Sequence, residues 1–431
     1  MNAERLLADA RGVLERNWTG AFTRPGLHLY PHQWSWDSAF AAIGNVPPCA
    51  RIELRTLFAG QWRNGLLPHI VFAPGLPDSA YFPSPSRWDI QRSPDAPREP
   101  RTSGIVQPPL HATAVWLVHQ AAQDEGFLRE LAGPLRAWHD YLYRARDLDG
   151  DGLVAIHHPW ESGMDNSPAW DRALAAIRVP PGAVPPYLRV DLSHAPDAQR
   201  PTIHDYDEYL YLLEELKARD YDEQRIRADF PFAIADPLFN ALLVRAGEDL
   251  ASIAAALGED PAPIRAQAAR TAAAIEARLW DEEAGLYAAL DLRRGERMPA
   301  GSVAGLAPLF AGLGQAGRVE RLTSALDGER FWPPGGHPLA SWDTTGTAFD
   351  RRRYWRGPAW VNLNWLVAGG LRRHGLTEPA ARLEAATLEL VSRTGFREYF
   401  DPLSGEGYGS RDFTWTAALV ANLLTGARPA S

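Results

Sequence analysis

The tryptophans of this sequence lie in an unusual sequence context. Most of the 16 lie in short segments that are also rich in Asp, Glu, Gln, Asn, Arg or Tyr, rather than at helical spacing among Leu and Val. Flat apolar rings beside planar hydrogen-bonding groups suit a pyranose, because its C–H faces stack on rings while its hydroxyls need donors and acceptors. The pattern predicts a carbohydrate site, although Trp116 and Trp138 are more typical of core packing.

Five segments combine these aromatics with carboxylates and amides. Their sequences are LYPHQWSWDSA (29–39), QWRNGLLPH (61–69), WESGMDNSPAWD (160–171), YWRGPAWVNLN (354–364) and EYFDPLSG (398–405). In this order they resemble glycoside hydrolase family 63, and within it the bacterial enzymes that cleave mannosylglycerate and glucosylglycerate. The resemblance extends over nearly the whole chain, from about Asn17 to Leu424.

The resemblance implies an all-α fold, an (α/α)6 barrel, and hydrolysis of an α-glycoside of glycerate with inversion at the anomeric carbon. An inverting enzyme needs a general acid and a general base about 6.5–9.5 Å apart, so that the base can activate water on the opposite face of the sugar. By motif match the acid is Asp165 and the base is Glu398. Aromatic neighbours would desolvate each carboxyl group and raise its pKa, which suits an acid at neutral pH.

Other carboxylates stand close to these two in the sequence. Glu161 and Asp171 flank Asp165, and we expect them to be structural partners that orient its loop. Asp401 and Glu406 follow the implied base beside Pro and Gly residues, which is typical of turns. All four are rivals for the catalytic roles at this level.

The resemblance also implies which residues hold the sugar. Around the non-reducing unit it assigns Tyr30, Trp34, Trp36, Asp37 and Gln107, and on the other wall Tyr354, Trp355 and Trp360. Asp37 is then a ligand of a sugar hydroxyl rather than a proton donor. Core packing is the alternative interpretation of the aromatic residues.

Glycerate carries a carboxylate, which an acidic protein must bind through a dedicated cation. The resemblance gives this role to Arg200, with the phenol groups of Tyr81 and Tyr206 beside it. A bidentate pair between guanidinium and carboxylate would be sufficient. The alternative is that Arg200 is an exposed loop charge. For a neutral aglycone we expect Arg200 to be dispensable.

Helices must position these residues, because apolar residues recur with helical spacing in about a dozen segments. The segments are 4–17, 51–62, 110–123, 127–146, 205–218, 237–257, 261–279, 303–313, 318–326, 358–373, 378–392 and 414–424. Two Pro-rich interruptions, residues 73–108 and 178–203, are expected to be lid loops. We therefore expect residues 1–431 to form a single catalytic domain, an (α/α)6 toroid of six hairpins, with a two-domain helical solenoid as the alternative.

Overall composition excludes several classes of function. The net charge is −9 and no long run of Lys or Arg occurs, so a nucleic-acid partner is not expected. The single cysteine, Cys49, cannot form an intramolecular disulfide. The N-terminal segment lacks the basic start and apolar core of a signal peptide, and no window is apolar over a membrane-spanning length. We expect a cytoplasmic protein without a membrane partner.

A metal or other cofactor is not expected either. The 12 histidines include no H-E-x-x-H motif or comparable cluster. The segment DLDGDG, residues 147–152, resembles the start of a calcium-binding loop, but its twelfth position is His158 instead of Glu. A rigid turn is the favoured interpretation of this segment, and a weak cation site is the alternative.

Two other functions remain open alongside a hydrolase of glycerate glycosides. A trehalase-like or α-glucosidase activity on a neutral oligosaccharide would use the same barrel and the same two carboxylates. A non-catalytic sugar-binding toroid would need neither, and the intact motifs around Asp165 and Glu398 argue against it. In every case the expected ligand is a small sugar, with mannose and glucose as equal alternatives.

Overall fold

Fifteen α-helices supply most of the regular structure within residues 2–193 and 195–426, the part of the chain that the computed structural model describes. They are α1 (Ala3–Asn17), α2 (Ser35–Gly44), α3 (Pro47–Phe58), α4 (Pro85–Trp88), α5 (His111–Ala122), α6 (Glu125–Tyr141), α7 (Asp171–Ala175), α8 (Ile203–Ala218), α9 (Glu223–Asp229), α10 (Pro237–Ala256), α11 (Ala262–Arg278), α12 (Ala316–Asp327), α13 (Val361–Arg373), α14 (Thr377–Thr394) and α15 (Thr414–Thr425). No helix in these ranges is both long and apolar enough to span a lipid bilayer.

Local sequence signals fix several helix starts. Thr202 and Asp205 form a capping box before α8, in which each side chain accepts a hydrogen bond from the other residue's backbone N–H. Helix α10 begins with Pro237, and the carboxylate of its N-cap, Asp236, accepts a hydrogen bond from Phe239 N at 2.9 Å. Proline is favoured there because the first N–H groups of a helix have no partner within it.

Six helical elements form a closed ring of packing contacts. In order, α2 packs against α5, α5 against α10, α10 against the 3-10 helix Val303–Ala311, that helix against α13, α13 against α15, and α15 against α2. Helices α1, α3, α6, α11 and α14 each pack against a member of this ring. The burial of side chains also differs between helices of the ring and helices outside it. Helices α2 and α10 bury residues on every face, whereas α1 and α11 bury one stripe and expose the rest.

The strands are short and antiparallel. They are β1 (Gln33–Trp34), β2 (Ile70–Val71), β3 (Ile234–Ala235), β4 (Trp280–Asp281), β5 (Leu286–Tyr287), β6 (Leu290–Asp291), β7 (Glu296–Arg297), β8 (Arg397–Phe400) and β9 (Gly407–Arg411). β1 pairs with β2, β4 with β5 and β8 with β9, while β6 lies between β3 and β7. Two of these pairs carry predicted site residues, because Trp34 belongs to β1 and Glu398 to β8.

Most helices predicted from apolar spacing are confirmed, with ends that differ by a few residues. The predicted α-helix at 303–313 is wrong in type, since Val303–Ala311 is a 3-10 helix. Pro308 within it has no N–H to donate to the carbonyl four residues earlier, which disfavours the α form. Helix α2 escapes prediction because a helix buried on all faces has no apolar stripe.

The two Pro-rich interruptions contain only short helical turns. Residues 73–108 include α4 and the 3-10 turns Asp78–Ala80 and Ile90–Arg92. Within 178–203, the described residues include the 3-10 turns Asp191–Ser193 and Asp197–Gln199. Further irregular helical turns are Pro159–Ser162 and Pro168–Trp170, of the 3-10 type, and Leu142–Arg146, a π-helix.

Candidate active site

One pocket gathers nearly all the site residues that the sequence predicts. It has a volume of about 650 Å³, including its solvent-open mouth. Its walls include Tyr30, Trp34, Trp36, Asp37, Tyr81, Gln107, Asp165, Arg200, Tyr206, Tyr354, Trp355 and Glu398. Residues that are distant in sequence therefore meet around one space, with aromatic walls, three carboxyl groups and a guanidinium.

Trp360 is the predicted site residue that does not line this pocket. Its indole stacks on that of Trp355, with 3.7 Å between the ring centroids and 5° between the planes, and the side chain is buried. Its Nε1 donates a hydrogen bond to the backbone carbonyl of Tyr354 at 3.1 Å. Trp360 thus supports two wall residues from behind, rather than forming the predicted wall itself.

The pocket also contains residues that the sequence patterns do not assign to it. They are Pro25, His69, Pro83, Trp160, Gly163, Phe413 and Trp415. His69, Trp160 and Gly163 stand inside the five motifs, which is the signal that could have found them. At Gly163 φ is +71° and a Cβ would lie 2.5 Å from the Trp36 ring, so only glycine fits without strain. Phe413 carries no comparable signal.

Asp165 lies in the turn that follows the 3-10 helix Pro159–Ser162 and Gly163. Its backbone carbonyl accepts a hydrogen bond from the Tyr209 hydroxyl at 3.0 Å, which ties the turn to α8. Burial raises the pKa of the Asp165 carboxyl to about 7, while the charge of Arg200 opposes this rise and that of Glu398 adds to it. A carboxyl group that keeps its proton near neutral pH can serve as a general acid.

Glu398 is buried in β8 and accepts several hydrogen bonds. The Tyr30 hydroxyl donates to its Oε1 at 2.7 Å, and Ser410 N donates to its Oε2 at 2.8 Å. Nη1 of Arg200 lies 3.7 Å from Oε1. Burial raises the pKa of Glu398, whereas Arg200 and the hydrogen bonds from Ser410 and Tyr30 lower it. These neighbours favour the ionised form that a general base needs.

Gly409 in β9 allows the backbone to approach this carboxylate. Its φ is +64°, and a Cβ at this position would lie 2.3 Å from Oε2 of Glu398. The next residue, Ser410, provides the backbone N–H that holds the same oxygen. The β8–β9 hairpin therefore positions Glu398 by backbone contacts that tolerate no side chain at Gly409.

Arg200 is buried in the pocket wall, so its interpretation as an exposed loop charge is wrong. Its Nε donates to Oδ2 of Asp191 at 3.2 Å and its Nη1 donates to the Tyr30 hydroxyl oxygen at 3.2 Å. The guanidinium carbon lies 4.3 Å from the centroid of the Tyr354 ring. Because Arg200 also stands beside Glu398, its charge acts on the implied base as well as on any anionic ligand.

Asp37 is the third carboxyl group of the pocket. It is buried in the first turn of α2. Burial holds its pKa well above the ordinary range, the backbone N–H contact opposes this, and the charges of Glu398 and Asp165 add to it. A protonated Asp37 presents one donor and one acceptor, which suits a sugar hydroxyl.

The rivals that flank Asp165 are engaged in ion pairs, as expected. Glu161 is buried and pairs with Arg146, with 2.9 Å between Oε2 and Nη1. The two oxygens of Asp171 accept hydrogen bonds from Arg356 at 2.7 and 2.6 Å. Neither carboxylate lines the pocket.

The rivals that follow Glu398 belong to the turn of the β8–β9 hairpin, which confirms their interpretation. Asp401 is buried, pairs with Arg351 at 2.5 Å and accepts a hydrogen bond from Leu403 N at 2.9 Å. Glu406 accepts a hydrogen bond from the Tyr408 hydroxyl at 3.0 Å. Both lie outside the pocket wall.

The aspartates of the 147–152 turn contact arginines. Asp147 pairs with Arg270 at 3.1 Å, and Arg278 pairs with Asp149 at 2.8 Å and also with Asp151. Across the described residues, no group of three or more His, Cys, Asp or Glu side chains is arranged to hold a metal ion. The aspartates that resemble the ligands of a calcium loop are thus engaged in ion pairs with arginine.

Known proteins resemble this chain over almost its full length. Residues 30–416 match the family described as the mannosylglycerate hydrolase MGH1-like glycoside hydrolase domain. A mannosylglycerate hydrolase of Rubrobacter radiotolerans is 47% identical over 430 residues, covering 98% of this chain and 97% of its own. A glucosylglycerate hydrolase of Mycolicibacterium hassiacum is 39% identical, covering 97% and 98%.

A solved structure has the same fold. The crystal structure of the family 63 mannosylglycerate hydrolase of Thermus thermophilus, in complex with Tris and D-glycerate, superimposes with a TM-score of 0.90 at 45% identity. The alignment covers 97% of this chain and 99% of that one. This chain therefore belongs to the MGH1-like family of glycoside hydrolases, within glycoside hydrolase family 63.

Proposed function

We propose that this glycoside hydrolase cleaves a small α-glycoside of glycerate, mannosylglycerate or glucosylglycerate, to the free sugar and glycerate. The observation that carries the proposal is the meeting of Asp165, Glu398 and the buried Arg200 in one aromatic pocket. The names of the relatives support both sugars, and the bound D-glycerate of the Thermus structure supports the aglycone.

The reaction proceeds with inversion, with Asp165 as general acid and Glu398 as general base. Asp165 retains its proton up to about neutral pH because burial raises its pKa to about 7. Glu398 has a cation and two hydrogen-bond donors around its carboxylate, which favour the ionised form. The acid protonates the glycosidic oxygen while the base removes a proton from the attacking water.

Sugar recognition combines stacking with a few polar contacts. Trp34, Trp36 and Trp355 supply apolar ring surface in the pocket wall. Gln107 accepts a hydrogen bond from Trp36 N through its Oε1 at 3.1 Å, so its amide N–H groups are the donors left for a sugar hydroxyl. Asp37 binds a further hydroxyl, as a protonated carboxyl group. The hydroxyls of Tyr30 and Tyr354 lie 3.5 Å apart in the pocket, and that of Tyr30 donates a hydrogen bond to the base.

The aglycone binds beside Arg200, Tyr81 and Tyr206. Arg200 is the guanidinium in the pocket wall, and the two phenol hydroxyls supply neutral donors for an anion. Nε of Arg200 already donates a hydrogen bond to Asp191, so the glycerate carboxylate binds to the Nη1 and Nη2 groups of the guanidinium. This arrangement favours a compact anionic aglycone over a long neutral one.

Residues 2–193 and 195–426 form one (α/α)6 barrel domain with lid loops at about 73–108 and 178–203, and the remaining residues of the predicted domain 1–431 lie outside the described part of the chain. The closed contact ring of six helical elements, with outer helices packed against it, supports the barrel. Tyr81 and Arg200 come from the two loops and line the pocket, which supports their role as lids.

A substrate panel tests the proposed activity. Mannosylglycerate, glucosylglycerate and trehalose are incubated with the enzyme, and the anomers of the product are followed by NMR at early times. We expect cleavage of a glycerate glycoside and an initial product of opposite anomeric configuration. Cleavage of trehalose alone would support the trehalase-like alternative, and binding without turnover would support a sugar-binding toroid.

Asp165→Asn and Glu398→Gln test the two catalytic roles separately. Each variant should lose about 10²–10⁴-fold in kcat on the glycoside, because proton transfer is removed while shape is kept. An α-glycosyl fluoride needs no protonation of its leaving group, so Asp165→Asn should still hydrolyse it and Glu398→Gln should not. The opposite pattern on the fluoride would reverse the assignment of acid and base.

A further inference from the structure

A buried ion pair lies behind the pocket wall. The side chains of Arg146 and Glu161 are 1% and 0% exposed. Nη1 of Arg146 donates to Oε2 of Glu161 at 2.9 Å and Nη2 donates to Oε1 at 3.1 Å, a bidentate arrangement. Neither residue lines the pocket, so neither touches the substrate.

The carboxylate of Glu161 also accepts two backbone hydrogen bonds. Val106 N donates to Oε1 at 3.2 Å and His157 N donates to Oε2 at 2.5 Å. Arg146 itself is the last residue of the π-helix Leu142–Arg146. A single side chain therefore joins three separate segments of the chain through four hydrogen bonds.

Two of these segments carry pocket residues. Glu161 belongs to the 3-10 helix Pro159–Ser162, which leads through Gly163 into Asp165. Val106 precedes Gln107, whose side chain is hydrogen-bonded to Trp36 N. The pair thus fixes the turn that presents Asp165 relative to the irregular segment that presents Gln107.

Burying two charges is costly, and a buried ion pair is often no more stabilising than apolar residues of the same size. The geometry points to a different reason for this pair: Arg146 and Glu161 are positioning residues that set Asp165 at the distance and angle its proton transfer requires. This inference rests on the proposed function, because it assumes Asp165 to be the acid. It gives Glu161 a role that is distinct from catalysis.

The test replaces the pair by neutral side chains and compares it with a matched pair elsewhere. Arg245 and Asp249 in α10 form another buried bidentate pair, with both distances 2.9 Å, away from the pocket wall. The double variants are Arg146→Met with Glu161→Gln, and Arg245→Met with Asp249→Asn. Each removes both charges of its pair. Because Oε2 of Glu223 also lies 3.5 Å from Nε of Arg146, the single variant Glu223→Gln measures the effect of losing that contact alone.

We expect the Arg146/Glu161 double variant to lose about 10- to 100-fold in kcat on the glycoside with little change in KM, because small misplacements of a catalytic group have effects of this size. Its loss on the α-glycosyl fluoride should be several-fold smaller, since that substrate does not need the acid. The Arg245/Asp249 variant should keep the ratio of glycoside to fluoride activity of the parent enzyme.

Unchanged kcat in the folded Arg146/Glu161 variant, or equal losses on glycoside and fluoride, would overturn the inference. If that variant does not fold, Arg146→Lys replaces it, because it keeps the charge but loses the bidentate geometry. The same two outcomes apply to it. Failure of the parent enzyme to cleave any glycerate glycoside would instead contradict the proposed function, so the two failures are distinguishable.

Discussion

Burial pushes the pKa values of Asp165, Glu398 and Asp37 in one direction, upward, so their neighbours decide which of them is charged. Glu398 alone has both Tyr30 and Ser410 as donors on its carboxylate and Arg200 within 4 Å. These neighbours favour ionisation of Glu398, the proposed base, more than ionisation of Asp165, the proposed acid, or of Asp37.

The pH dependence of activity should reveal this separation. In the parent enzyme we expect kcat/KM to fall above about pH 7, as Asp165 loses its proton. The profile should also fall at acid pH, where Glu398 gains a proton. Arg200 lowers the pKa of both Asp165 and Glu398, so Arg200→Gln should move the alkaline limb and the acid limb to higher pH. The exposed arginine Arg129, in α6, provides a control, and Arg129→Gln should leave both limbs in place. An alkaline limb that does not move in Arg200→Gln would contradict the effect of this guanidinium on Asp165.

The contact between Arg200 and Glu398 changes the expected effect of Arg200→Ala on kcat/KM for different substrates. The sequence alone suggests that a neutral aglycone has no need of Arg200, but its guanidinium lies 3.7 Å from Glu398, the proposed base. We therefore expect kcat/KM to fall for a glycerol glycoside as well as for the glycerate glycoside. The glycerate glycoside should lose a further 10- to 150-fold or so, which corresponds to about 1.5–3 kcal/mol for a charge-assisted hydrogen bond. Equal losses on both substrates would mean that Arg200 does not bind the carboxylate.

At the scale of the elements, the β8–β9 hairpin holds Glu398, the proposed base, through a close approach at Gly409. Gly409→Ala should displace Glu398, because the new Cβ would lie 2.3 Å from its Oε2. We expect a 10- to 100-fold loss of kcat or so, in line with a misplaced catalytic group. Gly295 is a matched control with φ +68° and no neighbour within 4 Å of an added Cβ, so Gly295→Ala has the same backbone cost without the clash. Similar kinetics of the two variants would refute the positioning role of Gly409.

Sequence patterns predict some elements and contacts better than others, for physical reasons. Amphipathic helices such as α1 and α11 are readily predicted, because one face remains in water. Helix α2, buried on all faces, and the 3-10 form around Pro308 are not. Site membership follows from the motifs, but the direction in which a ring points does not, and so the motifs place Trp360 at a wall that it only supports. The contact between Arg200 and Glu398 is equally invisible in the motifs, because it joins residues that are distant in sequence.

At the scale of the whole molecule, the ring of helices buries polar groups that must be satisfied within it. Helix α10 is central to this ring, since it packs against α5, α6, α11 and the 3-10 helix Val303–Ala311. Its N-cap, Asp236, is buried, and one of its carboxylate oxygens has no hydrogen-bond partner. The stability of the molecule is therefore linked to the proton on this side chain.

Asp236→Asn tests that linkage. Burial raises the pKa of Asp236 from its ordinary 3.8 to about 7, against the opposing backbone hydrogen bonds of Phe239 and Leu238. Between these two pH values the folded protein binds a proton that the unfolded chain has lost, so the stability contributed by this group falls as pH rises and is lowest above pH 7.

Asparagine caps a helix as well as aspartate but does not ionise. We expect the stability of Asp236→Asn relative to the parent to grow by about 2–3 kcal/mol from pH 5 to pH 8, at about 1.4 kcal/mol per unit of pH below the folded pKa. Thermal unfolding at both pH values measures this, with Asp222→Asn at the exposed N-cap of α9 as the control, for which we expect the same relative stability at both. An advantage of Asp236→Asn that shrinks with rising pH would show that the charged carboxylate stabilises the start of α10.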